Sequence, residues 1–156
     1  MEISVRKATL KDLKAVQELN LKLFEKEYKE YDSTLDISWP YSEEGKKYFS
    51  EIIKKEFSAV AEADGKTVGY ILGGKSGTET WRTVKRIAEL YNMLVLKEYR
   101  GKGIGTKLAN LFLDWCRQNN FERIRVVSSA QNKKGIKFYK KCGFNDYDVI
   151  LEAGLK

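Results

Sequence analysis

Residues 100–106 read Arg-Gly-Lys-Gly-Ile-Gly-Thr, a turn with three glycines in five positions. It joins two segments of different period. Before it, residues from about Val84 to Leu96 alternate like a strand. After it, Ile104, Leu108, Leu111, Phe112 and Trp115 recur at helical spacing. Asn119-Asn120 ends that helix, and the β-branched run Arg123–Ser128 follows. A strand, a tight turn, a helix and a second strand predict a right-handed parallel crossover. The turn also carries a chemistry. Glycines let successive backbone N–H groups point inward, and the helix start adds unpaired N–H groups and a positive dipole end. Together these make an anion site suited to a pyrophosphate. The spacing lacks the Gly-Lys-[Ser/Thr] ending of a P-loop. The third glycine falls two residues after the second, where the dinucleotide fingerprint needs three. On these residues alone, a plain tight turn packed against a strand is the competing account.

The rest of the chain reads as alternating elements. Residues 2–7 predict a strand. Thr9, with Asp12 three residues on, forms an approximate capping box. The helix it opens carries Leu13, Val16, Leu19 and Leu23 on one face and runs to about Lys29. An irregular acidic stretch leads through Pro40. Ser42 caps a second helix with Tyr48, Phe49, Ile52 and Ile53 on its apolar side. Phe57–Ala63 and Lys66–Gly73 flank Asp64-Gly65, a hairpin signal. Gly73, Gly74 and Gly77 predict a mobile loop. Asn132 caps the last helix, Gly143 supplies its left-handed end, and Val149–Leu151 predicts a final strand. The sum is a mixed sheet with helices on both faces.

Composition narrows the chemistry. At 156 residues with a single proline and no linker-like stretch, residues 1–156 predict one domain. There is no histidine, which excludes a His-based triad, a His general base and a His-metal site; no metal is expected. Cys116 and Cys142 have neither metal nor CxxC spacing and read as buried small hydrophobes in a reducing compartment. No run reaches the roughly 18 apolar residues of a membrane helix, and the N-terminus lacks the apolar core of a signal peptide. The expected location is the cytoplasm. The net charge of +7 is split: Glu25–Glu44 holds seven acids against two bases, while Lys97–Lys141 holds twelve bases against three acids. One half should attract anions and an N-terminal patch should attract cations.

The pattern Arg-x-x-Gly-x-Gly at Arg100, Gly103 and Gly105, preceded by Leu94-Val95 and Glu98-Tyr99, resembles the pyrophosphate loop of the GNAT superfamily of N-acetyltransferases. Asn132, Phe138-Tyr139 and Gly143-Phe144 stand at the spacing of that family's second motif, and Arg6-Lys7-Ala8-Thr9…Asp12 resembles its opening. The resemblance implies an α/β (α+β) fold: a mostly antiparallel sheet of six to seven strands with a central parallel crossover and four helices on both faces. It implies acetyl-CoA as co-substrate. The backbone of Met93, Leu94 and Val95 would hold the pantetheine arm, the amides of Gly101, Lys102, Gly103, Ile104, Gly105 and Thr106 would hold the pyrophosphate, and Asn132 would add a contact. Gly135 stands where the family often has Ala, and Val126–Ser129 offers no carboxylate base.

Acetyl transfer needs a neutral amine, a polarised thioester and a proton for the departing thiolate. Tyr139 suits the acid role, since a phenol is protonated at neutral pH. Glu89, on the long strand, suits the base. The expected acceptor is a cationic primary amine: a peptide N-terminus, a lysine, a polyamine or an aminoglycoside, attacking directly in a ternary complex. Two other classes fit parts of the sequence: a non-catalytic acyl-CoA-binding regulatory domain and a basic nucleic-acid-binding module. A monomer or homodimer is expected, with no membrane partner.

Overall fold

The computed structural model describes residues 1–156. Nine elements form: β1 (Ile3–Lys7), α1 (Leu13–Glu30), α2 (Glu43–Lys55), β2 (Phe57–Ala63), β3 (Lys66–Lys75), β4 (Ile87–Val95), α3 (Ile104–Gln118), β5 (Arg123–Val126) and α4 (Lys133–Lys141). The strands make one sheet in sequence order, β1-β2-β3-β4-β5. The first four are antiparallel neighbours, and β5 lies parallel to β4 across α3.

Local chemistry sets most boundaries. The Thr9 amide donates to Asp12 Oδ2 at 2.8 Å, and Arg6 holds the same carboxylate at 2.8 Å. Ser42 Oγ accepts from the Gly45 amide at 3.0 Å, capping α2. Asp64 and Gly65 both have positive φ (49° and 79°), as a two-residue hairpin of primed type requires.

Each face of the sheet carries its own core. α1 and α2 cover one face with Val16, Leu19, Phe49 and Ile52 against Val60, Tyr70 and Leu72. α3 covers the other with Ile104, Leu108 and Phe112 against Ala59, Ile71 and Leu90, and Tyr139 of α4 packs on this cluster. Side chains such as Phe112 contribute roughly 1.5–3 kcal/mol each on burial.

Five features depart from the sequence reading. The sheet has five strands, not six or seven, because Val149–Leu151 forms no strand; all three side chains are at least 76 % exposed. Gly73 and Gly74 lie inside β3 and not in a loop. A Cβ at Gly73 would collide with Phe112, and one at Gly74 with the Glu56 carboxylate, so both glycines serve close packing. β4 begins at Ile87, three residues later than the alternation predicts, and residues 76–86 are irregular. β5 ends at Val126, short of Ser128. Cys116 is buried as expected, whereas Cys142 is only half-buried; both are free thiols.

Candidate active site

The β4–β5 pairing spans Ile87–Leu90 against Arg123–Val126 and then stops. From Tyr91 to Val95, β4 has β3 on one side and no strand on the other. An opening on this edge of β4 results, along Met93, Leu94 and Val95. The glycine turn closes its end. Gly101 and Gly103 adopt left-handed φ (75° and 77°), and a Cβ on either would meet nothing within 4 Å. None of the amides from Gly101 to Thr106 donates to a backbone carbonyl, and Lys107 is the first to do so, to Gly103 O at 3.0 Å. This is a concave row of free N–H donors ending on a helix N-terminus. Arg100 Nε donates to Val95 O at 2.8 Å, tying the turn to the end of β4. Lys102 is exposed.

α4 reaches the same opening. The space beside Gly105 is filled by Phe138, 3.4 Å from a Cβ built there, with Met93 Cε at 3.9 Å. Asn132 caps α4 by accepting from the Gly135 amide at 3.0 Å. The same Oδ1 accepts from the Tyr31 hydroxyl at 3.5 Å, so the α4 start is tied to the end of α1. Tyr139 is gripped by Phe138 and Phe144, with ring centroids 5.6 and 5.8 Å away. Burial pushes its phenol up to about 12, and the charge of Glu27 adds to the shift. It therefore stays protonated across the physiological range.

The other wall is lined by side chains. The register shift between Leu72 and Gly73 of β3 leaves Tyr91 of β4 without a partner on β3, and Tyr91 and Asn92 both reach the α1/α2 side. Asn20 Nδ2 donates to the buried Tyr70 hydroxyl at 2.8 Å and to Asn92 Oδ1 at 3.4 Å. Asn92 Nδ2 donates to the Tyr48 hydroxyl at 3.2 Å. Tyr91 donates to Glu56 Oε2 at 2.6 Å. Burial pushes Tyr48 up to about 12.

Two carboxylates matter here. Glu89 is half-buried, and its charge acts on Tyr48 and Tyr91. Glu27 lies seven residues after Asn20 and four before Tyr31, on the same face of α1. Its own neighbour Lys26 pairs with Glu30 at 3.3 Å. Burial raises the Glu27 pKa, partly offset by Lys26. Its charge reaches both Tyr70 and Tyr139. The charge of Glu27 thus acts on Tyr139 and Tyr70, and that of Glu89 on Tyr48 and Tyr91. Sequence reading missed Glu27 because it sits in a charge-rich helix; its spacing from the inward Asn20 was the available signal. Not all acids of that region are free: Asp32 and Asp36 are held below the ordinary carboxylate range by hydrogen bonds from Thr34 and Ser38.

A mixed sheet whose parallel pair stops short, with a turn of unpaired amides beside it, defines the class. The acetyltransferase (GNAT) family matches residues 13–144, and the chain belongs to that family of acyltransferases. It is 29% identical to an N-alpha-acetyltransferase of Sulfurisphaera tokodaii over 96% of this chain and 84% of the relative. Identity to N-alpha-acetyltransferase 30 of Schizosaccharomyces pombe is 30%, over 72% of each chain. It is 28% identical to an uncharacterized N-acetyltransferase of Methanocaldococcus jannaschii, spanning 46% of that protein's length. Among solved structures, a predicted acetyltransferase with acetyl-CoA from Clostridium acetobutylicum superposes with a TM-score of 0.79 at 25% identity, covering 99% and 97% of the two chains. The aminoglycoside N-acetyltransferase AAC(6')-Iy in complex with CoA has the same fold, with a TM-score of 0.76 at 17% identity over 99% and 96%. No helix is long and apolar enough to cross a membrane.

Proposed function

We propose that this chain transfers the acetyl group of acetyl-CoA to a primary amine, by direct attack with both substrates bound. The observation that carries this reading is the open row of unpaired amides from Gly101 to Thr106 beside the unpartnered edge of β4. The donors fit a diphosphate, and the strand edge fits an amide-bearing arm laid along it. Acetyl-CoA supplies an activated acyl carbon and a thiol leaving group.

The chain's residues do the rest. The amides at 101–106 hold the diphosphate and direct the thioester toward Tyr139. A carboxylate accepts the proton of the incoming ammonium, directly or through one water, leaving a neutral amine. Glu27 is the first candidate for this, since its carboxylate is desolvated and its charge reaches the phenol; Glu89 is the second. The amine nitrogen bonds to the acyl carbon, the carbon–sulfur bond breaks, Tyr139 gives its proton to the thiolate, and the proton that the nitrogen sheds in becoming an amide passes through water to the phenolate. An acid whose pKa is held near 12 regains that proton from water at any physiological pH.

The acceptor side is acidic from Glu25 to Glu44, which favours a cationic amine. The N-alpha-acetyltransferase relatives make a peptide α-amine the first acceptor to test. A thiol-release assay with acetyl-CoA across peptides, polyamines and aminoglycosides tests the reading. Release that depends on one amine class supports it. Tight coenzyme binding without release on any amine would instead mark a non-catalytic coenzyme-binding domain.

A further inference from the structure

Gly74 of β3 leaves a gap that a carboxylate fills. Glu56, the residue between α2 and β2, sets its carboxylate in the place a Cβ at Gly74 would take. The Tyr91 hydroxyl pins it there, donating to Oε2 at 2.6 Å. Gly74 pairs directly with Glu89 across β3 and β4. Opposed positions on neighbouring strands point to one face, with Cβ sites about 5 Å apart. Two half-buried carboxylates, Glu56 and Glu89, therefore stand side by side on the α1/α2 face of the sheet.

Their charges are unanswered. Neither carboxylate has an ion-pair partner. Lys55, next to Glu56 in the chain, pairs with Glu51 at 2.6 Å. Lys75 follows Gly74 on β3 and so points to the opposite face. Like charges at opposed positions repel, and a bound cation would relieve them. Aromatic rings complete the niche. Tyr48 and Tyr91 have ring centroids 6.5 Å apart, tilted by 52°, and Trp39 packs edge-on to Tyr48 at 5.3 Å. The charges of Glu56 and Glu89 act on both phenols. Carboxylates beside ring faces suit an ammonium group. A second observation on the same wall points to an N–H ligand. Asn20 is 1 % exposed and is joined to Tyr48 through Asn92. Its Nδ2 donates to Tyr70 and Asn92, while its Oδ1 has no donor. A buried carbonyl in that state lacks a hydrogen bond that an N–H ligand can supply.

The position of the niche along β4 defines its ligand. Glu89 precedes Met93 by four residues, about 13 Å of strand. A molecule whose amine reacts at the Met93–Val95 opening therefore reaches the niche with a second cationic group. We infer that Glu56, with Glu89, binds a second ammonium of the acceptor, so that the chain selects amines carrying two cationic groups. A linear polyamine and a peptide with lysine next to its N-terminus share that chemistry. The inference rests on the acetyl-transfer reading and adds what the acceptor must carry. Glu56 determines specificity, while Gly74 and Tyr91 position it.

The test compares acceptors in pairs by thiol release with acetyl-CoA: spermidine against butylamine, and a peptide beginning Ser-Lys against one beginning Ser-Ala. The dication should have the higher kcat/KM by roughly tenfold, mainly through KM, as a charge-assisted hydrogen bond supplies. Preference in the first pair alone marks a polyamine acceptor, and in the second alone a peptide; either upholds the inference. Glu56→Gln should lower the ratio of dication to monocation about tenfold. Glu51→Gln, the same loss of charge within α2, should leave that ratio unchanged. Calorimetric titration of spermidine into the CoA complex reads the niche without turnover, and Glu56→Gln should weaken it roughly tenfold. Spermidine binding that needs Glu56, with no thiol released on any amine, keeps the niche and removes the acetyl-transfer reading. No preference in either pair, with equal spermidine affinity in parent and Glu56→Gln, overturns the inference. An equal loss of preference in Glu51→Gln overturns it as well, since net charge would then be the cause.

Discussion

The two sides of β4 present opposite kinds of polar surface. On the glycine-turn side the groups are main-chain amides in one continuous stretch, Gly101–Thr106, with almost no side chain in the way. On the α1/α2 side the groups are side chains contributed by four separate elements: Asn20 and Glu27, Tyr48, Tyr70, and Tyr91 with Asn92. The first surface reads a ligand by backbone geometry and tolerates side-chain change. The second depends on the identity of each side chain. Substitutions should therefore act in opposite ways on the two sides, and that contrast can be broken.

The largest expected effect is at the junction. Tyr139→Phe keeps the ring contacts with Phe138 and Phe144 but removes the proton. Turnover should fall roughly 10²- to 10⁴-fold while the coenzyme Kd, from titration calorimetry, stays put. Equal turnover would remove Tyr139 from the chemistry.

Next comes the pair Glu27→Gln and Glu89→Gln, compared in kcat/KM against pH. Glu27→Gln should cost roughly 100-fold and abolish the acidic limb, which lies above the ordinary carboxylate range because burial raises the Glu27 pKa. Glu89→Gln should leave the limb in place. The reverse outcome hands the base role to Glu89. Stability should move the other way. A carboxylate with a raised folded pKa is penalised once ionised, so its contribution is lost as pH rises through that pKa. Glu27→Gln should then match or exceed the parent in Tm at neutral pH, while losing activity.

Gly103→Val tests the main-chain side. A β-branched residue at φ 77° costs about 1–2 kcal/mol and turns the amides, so coenzyme affinity should drop roughly 10- to 100-fold. Lys102→Ala, one residue away, should change affinity less than about fivefold, and less still at high salt. A Lys102 effect as large as the Gly103 effect would mean that charge, not the amide row, holds the diphosphate.

How much could be read beforehand differs by side for the same reason. The glycine turn, its flanking strand and helix, the Asn132 cap and the Asp64-Gly65 hairpin are local: a few neighbouring residues dictate backbone angles, and the structure follows. Gly73 and Gly74 look like the same signal but are not, because their cause is Phe112 and Glu56 arriving from other elements. Val149–Leu151 has a strand's composition, yet a strand needs an edge to pair with, and these residues make no backbone hydrogen bond to one.

The sequence by itself determined the order of the elements, the two-sided sheet, the split of charge and the one stretch of backbone shaped for an anion. Those follow from periodicity, capping and glycine's access to positive φ. Only the tertiary structure decided which carboxylate's charge reaches Tyr139, why two glycines sit inside β3, and that β5 keeps a free outer edge. Each of those rests on contacts between residues far apart in the chain, which no local pattern encodes.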